Sequence, residues 1–448
     1  MPLFIIPLFF SACGPEEQTA PFVLLPAEEV GAATRPANPP PFWWGVSTSS
    51  FQTEDRRLPS GELSFLTDWD AFGTLGLVRE PDDRIGSFSH FERDLAALKY
   101  LGVTHYRVGI EWARIEPTQG EFNESAIEHY VRIVRRLKEE GIEPLVCLWH
   151  FTFPSWLGDV NNPDQHGWLH PHAADAWGAY LKVITKRLAP YVELYAPINE
   201  PNAYAFGMMV GFFKGGRVLD GPYHDRLNQK LIDVFMQAAG IIRDARSDAK
   251  IVSIQSITAW RRDSFDPFGT LYKLGIDHNY SHLDGVVSAV DYVGINYYQR
   301  AVASPLFFLS ILNNQGENVS DIGWVIDAEG LEVQIVEFSR RYHKPIIITE
   351  NGVADRTDRK RQNYIYTHLL AVRRTLEANY DVRGYFHWTL VDSFEWLFGY
   401  DYDFGLFRLG DDINQLTPKA SADYYRSMIA SGFMDHGVDV TQLAPTAP

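Results

Sequence analysis

P-I-I-I-T-E-N-G, residues 345–352, is a short apolar run that closes on a carboxylate, Glu350. About 150 residues earlier, Y-A-P-I-N-E-P, residues 195–201, has the same form and closes on Glu200. Runs of this length read as strands buried in a sheet. If the strands are parallel and close into a barrel, their C-terminal ends carry the active site. Two strand-end carboxylates are what glycosidic bond hydrolysis needs, one to protonate the leaving oxygen and one to attack or stabilise the anomeric carbon.

Working outward from these two runs, apolar stretches alternate with stretches of helical period from Phe42 onward, the pattern of a parallel α/β protein. Eight candidate strands emerge: Phe42 to Thr48, Thr104 to Trp112, Pro144 to His150, Val192 to Glu200, Lys250 to Ile257, Asp291 to Tyr298, Pro345 to Glu350 and Val382 to Leu390. Eight predicts a single (β/α)8 barrel, the TIM-barrel fold, over residues 42–432, with long loops after its strands. Between strands, residues 125–141 place Ile127, Tyr130, Val131, Val134 and Leu137 on one helix face and end at Gly141. The segment from His90 reads as a second amphipathic helix. No internal repeat or linker interrupts the alternation, so one catalytic domain is expected, followed by a tail at 433–448. Arg217 to Arg226 and Ala303 to Ile322 fit neither period and are expected as loops or lid elements on the substrate face.

The chain has 448 residues and a formal net charge of −17, which excludes a phosphate-binding surface and hence a nucleic-acid partner. Its 12 Trp, 22 Tyr and 28 Phe exceed what a core alone needs and supply faces for sugar rings. Two cysteines, Cys13 and Cys147, rule out a disulfide framework, and Cys147 within P-L-V-C-L-W-H reads as a buried strand residue. The first 13 residues, M-P-L-F-I-I-P-L-F-F-S-A-C, have the length of a signal-peptide apolar region and are too short for a membrane span. They resemble a bacterial lipoprotein signal with Cys13 as the lipidated residue, although no Lys or Arg precedes the apolar run. Membrane attachment through Cys13 and a place in the cell envelope are therefore expected, with a cytoplasmic location as the alternative. Residues 14–41, rich in Pro and Ala, read as a semi-rigid tether.

Collecting the residues that finish the strands gives Gln52, Arg107, His150, Asn199, Glu200, Asn296, Tyr298, Glu350 and Trp388, with Glu395 and Trp396 shortly after. Gln, Asn, His and Glu can bond sugar hydroxyls while Trp faces meet C–H faces. The motifs W-G-V-S-T-S-S-F-Q-T-E, Y-R-V-G-I-E-W-A-R-I-E-P, I-N-E-P, V-G-I-N-Y-Y, I-T-E-N-G and G-Y-F-H-W-T-L-V-D-S-F-E-W, in this order over about 390 residues, resemble glycoside hydrolase family 1, the β-glucosidase and β-galactosidase family.

That resemblance implies a retaining β-glycosidase acting by double displacement on β-D-glucosides, β-D-galactosides or short β-linked oligosaccharides, with no cofactor and no metal. Position by position, it implies Glu350 as nucleophile, Glu200 as acid/base and Asn199 as holder of the 2-hydroxyl. Arg107 and Tyr298 would support the nucleophile. Gln52, His150, Glu395 and Trp396 would read the sugar above Trp388, and Trp324 would line the leaving-group side. Asn296 joins the binding set. The chain departs from the family pattern at Phe151, where a Trp usually follows the strand-three His and donates to the 3-hydroxyl, and at Pro197-Ile198 and Ser393, which remove no catalytic group. Two other functions fit the same residues: a transglycosylase that passes the glycosyl unit to a sugar or lipid, and a non-catalytic sugar-binding barrel.

Overall fold

The computed structural model describes residues 22–58, 60–263, 266–304 and 318–445. Eight strands close into one parallel barrel in sequence order: β1 (Trp43–Ser47), β2 (His105–Gly109), β3 (Glu143–Cys147), β4 (Leu194–Ala196), β5 (Lys250–Arg262), β6 (Tyr292–Ala303), β7 (Ile346–Asn351) and β8 (Val382–Trp388). Closure runs through β1 and β8, paired from Trp43 with Gly384 to Ser47 with Trp388. Each predicted strand is present, and the barrel is the expected (β/α)8 fold.

Two cores result. Inside the barrel Leu145, Cys147, Leu194, Ala196, Val252, Ile254, Ile347 and Phe386 pack as a separate cluster. Cys147 belongs to it, and burial pushes its thiol up to about 11. A larger core lies between the strands and the surrounding helices. The longer helices are α1 (Phe91–Leu101), α2 (Glu124–Glu139), α3 (Ala173–Leu188), α4 (Pro201–Val210), α5 (Gly221–Ala245), α6 (Thr270–Val286), α7 (Ala328–Tyr342), α8 (Arg361–Glu377) and α9 (Ala420–Ala430). In α2, Ile127, Tyr130, Val134 and Leu137 are buried as the period predicts, and Gly141 in the left-handed region lets the chain leave the helix.

The structure departs from expectation in four places. β5 and β6 run five residues past their predicted ends, and beyond a register shift at Ile257/Thr258 they continue as a paired ribbon to Arg262 and Ala303. The segment 217–226 is half helical: α5 starts at Gly221, with the Asp220 side chain capping Tyr223 N at 3.0 Å. Residues 22–35, read as part of a tether, lie against the base of β8. There Ala27 N donates to Ala378 O at 2.9 Å, Arg35 N to Asn379 O at 2.9 Å, and Ala27 is fully buried. Past 432, Phe433 and Met434 are buried, and Arg373 Nη2 donates to Val438 O at 2.8 Å, so this stretch also packs on the barrel. Cys13 and the signal-like segment, residues 14–21 of the tether, most of the 303–322 loop and the last three residues lie outside the described residues.

Candidate active site

A cavity of about 910 Å³ opens at the C-terminal ends of the strands. Gln52, His150, Asn199, Glu200, Tyr298, Trp324, Glu350, Trp388, Glu395 and Trp396 all line it. Arg107 and Asn296 lie just beneath, both fully buried.

The two central glutamates differ in their surroundings. At the end of β7, Glu350 takes Arg107 Nη2 on Oε1 and the Tyr298 hydroxyl on Oε2. Burial, the largest influence on Arg107, works against its charge, but Glu350 together with Cys147 and Tyr298 outweighs it and the guanidinium is raised above its ordinary value. Gly352 is required by packing, because a Cβ there would collide with the Trp388 carbonyl. Glu200 follows β4 with a left-handed backbone, φ 41°, and caps the start of α4 ahead of Pro201. An L-residue pays about 1–2 kcal/mol for that conformation. Here it is held by Glu200 N donating to Ile254 O at 3.0 Å and by Asn296 Nδ2 donating to Oε1 at 2.9 Å. Burial first, then the charge of Glu350, push the Glu200 carboxyl up to about 8. Phe151 and Trp396 also adopt positive φ and also border the cavity.

A hydrogen-bonded chain ties these groups to the barrel. Thr349 Oγ1 donates to Asn296 Oδ1 at 2.7 Å, and Arg107 Nη1 donates to Asn199 Oδ1 at 3.3 Å. Asn199 Nδ2 meets His150 Nε2 at 3.3 Å. Burial, then Arg107, lower the His150 pKa well below its ordinary value, so the ring is neutral. Gln52 Nε2 donates to Phe394 O at 2.7 Å and reaches Glu395 Oε2 at 3.4 Å, while Gln52 Oε1 has no protein partner. Burial, followed by the charges of Glu350 and Glu200, raise Glu395 to about 8. The His150 ring lies near-parallel to those of Trp388 and Trp396, with each centroid 6.1 Å away.

Sequence reasoning missed the positions bordering the cavity on the far side, Phe206, Val210, Trp260, Leu271 and Leu274. It also missed Glu111, whose carboxylate accepts from Ser50 Oγ at 3.2 Å and Thr152 Oγ1 at 3.2 Å and so joins the loops that carry Gln52 and His150. Among the described residues no group of three His, Cys, Asp or Glu side chains could hold a metal ion.

Paired carboxylates over a tryptophan floor at the mouth of a (β/α)8 barrel define a carbohydrate-processing site of the glycosidase type. Sequence comparison gives the family: the family model of glycosyl hydrolase family 1 matches residues 35–261 and 277–433, and the chain belongs to that family. A bifunctional beta-D-glucosidase/beta-D-fucosidase of Bifidobacterium breve is 30% identical, over 88% of this chain and 98% of its own. A beta-galactosidase of Pyrococcus woesei is 26% identical, over 88% of this chain and 97% of its own. The crystal structure of Fpglu1 from Fervidobacterium pennivoraus superposes with a TM-score of 0.80 at 26% identity, covering 91% of this chain and 98% of its own.

Proposed function

We propose that the protein is a retaining β-glycosidase that releases terminal β-D-glucosyl or β-D-galactosyl units by double displacement. The observation that carries this reading is the asymmetry of the two carboxyls. Glu350 is oriented by a donor on each oxygen, and Glu200 is held at a pKa near 8, protonated at neutral pH. The relatives named for glucosidase, fucosidase and galactosidase activity support the substrate class.

In the first step Glu350 attacks the anomeric carbon, the bond to the leaving oxygen breaks, and that oxygen takes the Glu200 proton. Esterification removes the Glu350 charge, one of the two causes that raise Glu200, so the Glu200 pKa falls and it becomes a base. Water then loses a proton to Glu200 and attacks the same carbon, the ester bond to Glu350 breaks, and configuration is retained. In this reading Gln52, His150 and Glu395, which line the cavity, bond the sugar hydroxyls, Asn199 holds the 2-hydroxyl and Trp388 underlies the ring.

The test is Glu350→Gly. Turnover should vanish in a folded protein, and added azide or formate should restore it with the glycosyl product inverted. A folded variant that cannot be rescued, or a rescued product of retained configuration, overturns Glu350 as nucleophile.

A further inference from the structure

Glu111 follows β2, is 3% exposed and does not border the cavity. Its carboxylate nevertheless reaches two residues that do, Gln52 and His150, through their neighbours in the chain. We infer that Glu111 is a positioning residue: it fixes Gln52 and His150 relative to each other, and with them the fit of the sugar's hydroxyls. The inference rests on the glycosidase reading and adds to it a determinant of sugar recognition that lies behind the cavity wall.

Two loops meet on one oxygen. Ser50 Oγ and Thr152 Oγ1 each donate to Glu111 Oε2 at 3.2 Å, and all three side chains are buried. A buried hydroxyl left without a partner is costly, so each loop is held where this carboxylate lies. Ser50 opens the helical turn Ser50–Thr53, and Thr53 Oγ1 closes it by donating to Ser49 O at 2.8 Å, so Gln52 moves with Ser50. On the other side Phe151 separates His150 from Thr152 and has a φ of 74°. An aromatic residue keeps that left-handed conformation only where its surroundings impose it. The Thr152 bond to Glu111 holds the chain just after Phe151, and Asn199 meets the His150 ring just before it. Without Glu111 the backbone of Phe151 is free to relax, and the His150 ring moves with it.

Glu111 can serve as a fixed point because its own place is held from several sides. Gly109, two residues earlier, packs so closely on the turn that a Cβ there would lie 2.8 Å from Ser50 N. Ile110 N donates to Cys147 O at 2.9 Å, Glu111 N to Tyr130 Oη at 3.2 Å, and Ala113 N to Glu111 Oε1 at 3.4 Å. None of these bonds involves Glu200 or Glu350. Loss of the Glu111 carboxylate should therefore blur the reading of the sugar and leave the bond-breaking groups in place.

The test uses 4-nitrophenyl β-D-glucoside and its 2-, 3-, 4- and 6-deoxy analogues, read as kcat/KM, with Kd of the corresponding free sugars by calorimetry. Gln52→Ala and His150→Ala mark the hydroxyls that these two residues read, as those whose removal costs less in the variant than in wild type. Glu111→Ala should lower kcat/KM on the parent glucoside by on the order of a hundredfold, the effect of roughly 1 Å of misplacement. The penalty for removing the marked hydroxyls should shrink by about threefold or more, in Kd as in kcat/KM. Glu111→Gln keeps an oxygen for both hydroxyl donors and should restore the penalties, and the alkaline limb set by Glu200 should stay near pH 8 in both variants. Ser50→Ala and Thr152→Val leave the carboxylate in place, should shift the same penalties in the same direction, and carry the test if Glu111→Ala does not fold. Penalties that stay unchanged in folded variants, that shrink equally for all four hydroxyls, or that Glu111→Gln fails to restore overturn the positioning role and leave the glycosidase reading standing. The same shift in Kd, in a chain whose wild type hydrolyses none of the glycosides, overturns the glycosidase reading and leaves the positioning role standing.

Discussion

Two pairs of glutamates are buried near the C-terminal end of the barrel, and they behave differently. Glu54 and Glu111 are each raised to about 7, by burial first, and Glu200 to about 8, by the same leading cause. Glu54 is nevertheless saturated, with the Tyr130 hydroxyl at 2.7 Å and Arg114 Nε at 3.1 Å, and Glu111 is spent on Ser50 and Thr152. Neither borders the cavity, whereas Glu200 and Glu350 both do. A perturbed carboxyl is a guide to chemistry only where a reacting atom can reach it.

The sharpest way to break this distinction is substitution by glutamine. Glu350→Gln should lower kcat by about 10⁵-fold and Glu200→Gln by about 10²–10⁴-fold on glycosides with poor leaving groups. Glu54→Gln and Glu111→Gln should stay within about tenfold of wild type. A hundredfold loss in Glu54→Gln would show that the inner pair does more than brace the loops.

A smaller effect concerns protonation. The alkaline limb of kcat/KM should report Glu200 near pH 8, because activity needs its proton. In Glu350→Gln, carbon-13 titration of Glu200 should give a lower pKa than in wild type, because a neighbouring negative charge has been removed. An unchanged value would mean that burial alone sets it.

The smallest effect separates the pairs through stability. Glu111 titrates near 7 in the fold and near 4.5 unfolded, so the folded state holds the proton more tightly. Stability is therefore lost as pH rises from about 4.5 through 7. Glu111→Gln carries no such group, and by calorimetry its melting temperature should fall by about 2 °C less than that of wild type between pH 5 and pH 8. An equal or larger fall in the variant would mean that Glu111 is not held protonated.

The barrel was legible because most of its strands are largely apolar runs buried on both faces, and several are closed by a polar residue such as His150, Glu200 or Glu350. The same rule hid the β5–β6 ribbon. In T-A-W-R-R only Ala259 is buried and the other four are half-buried, so it carries no continuous apolar run to extend the strand. Residues 22–35 read as tether because their hold on the barrel comes from backbone groups, Ala27 and three scattered apolar side chains, Phe22, Leu24 and Val30, which make no helix or strand period. The polar half of the site came from strand ends. Its far side did not, because Phe206 and Val210 have the residue types and spacing of core positions, and only the folded structure puts them at the border of the cavity. Glu111 escaped because a carboxylate ahead of W-A-R-I is also a helix cap, and its side chain does accept from Ala113 N.

The hydrogen bonds that locate the two central carboxylates come from Arg107 in β2, Asn296 and Tyr298 in β6, and the backbone of Ile254 in β5. None comes from α5, α6 or the outer ribbon. The elements that hold the two central carboxylates are thus distinct from those that wall the far half of the cavity. Exchanging the segments 211–245 and 266–286 for those of another family member should transplant a leaving-group preference while the reaction centre keeps its alignment.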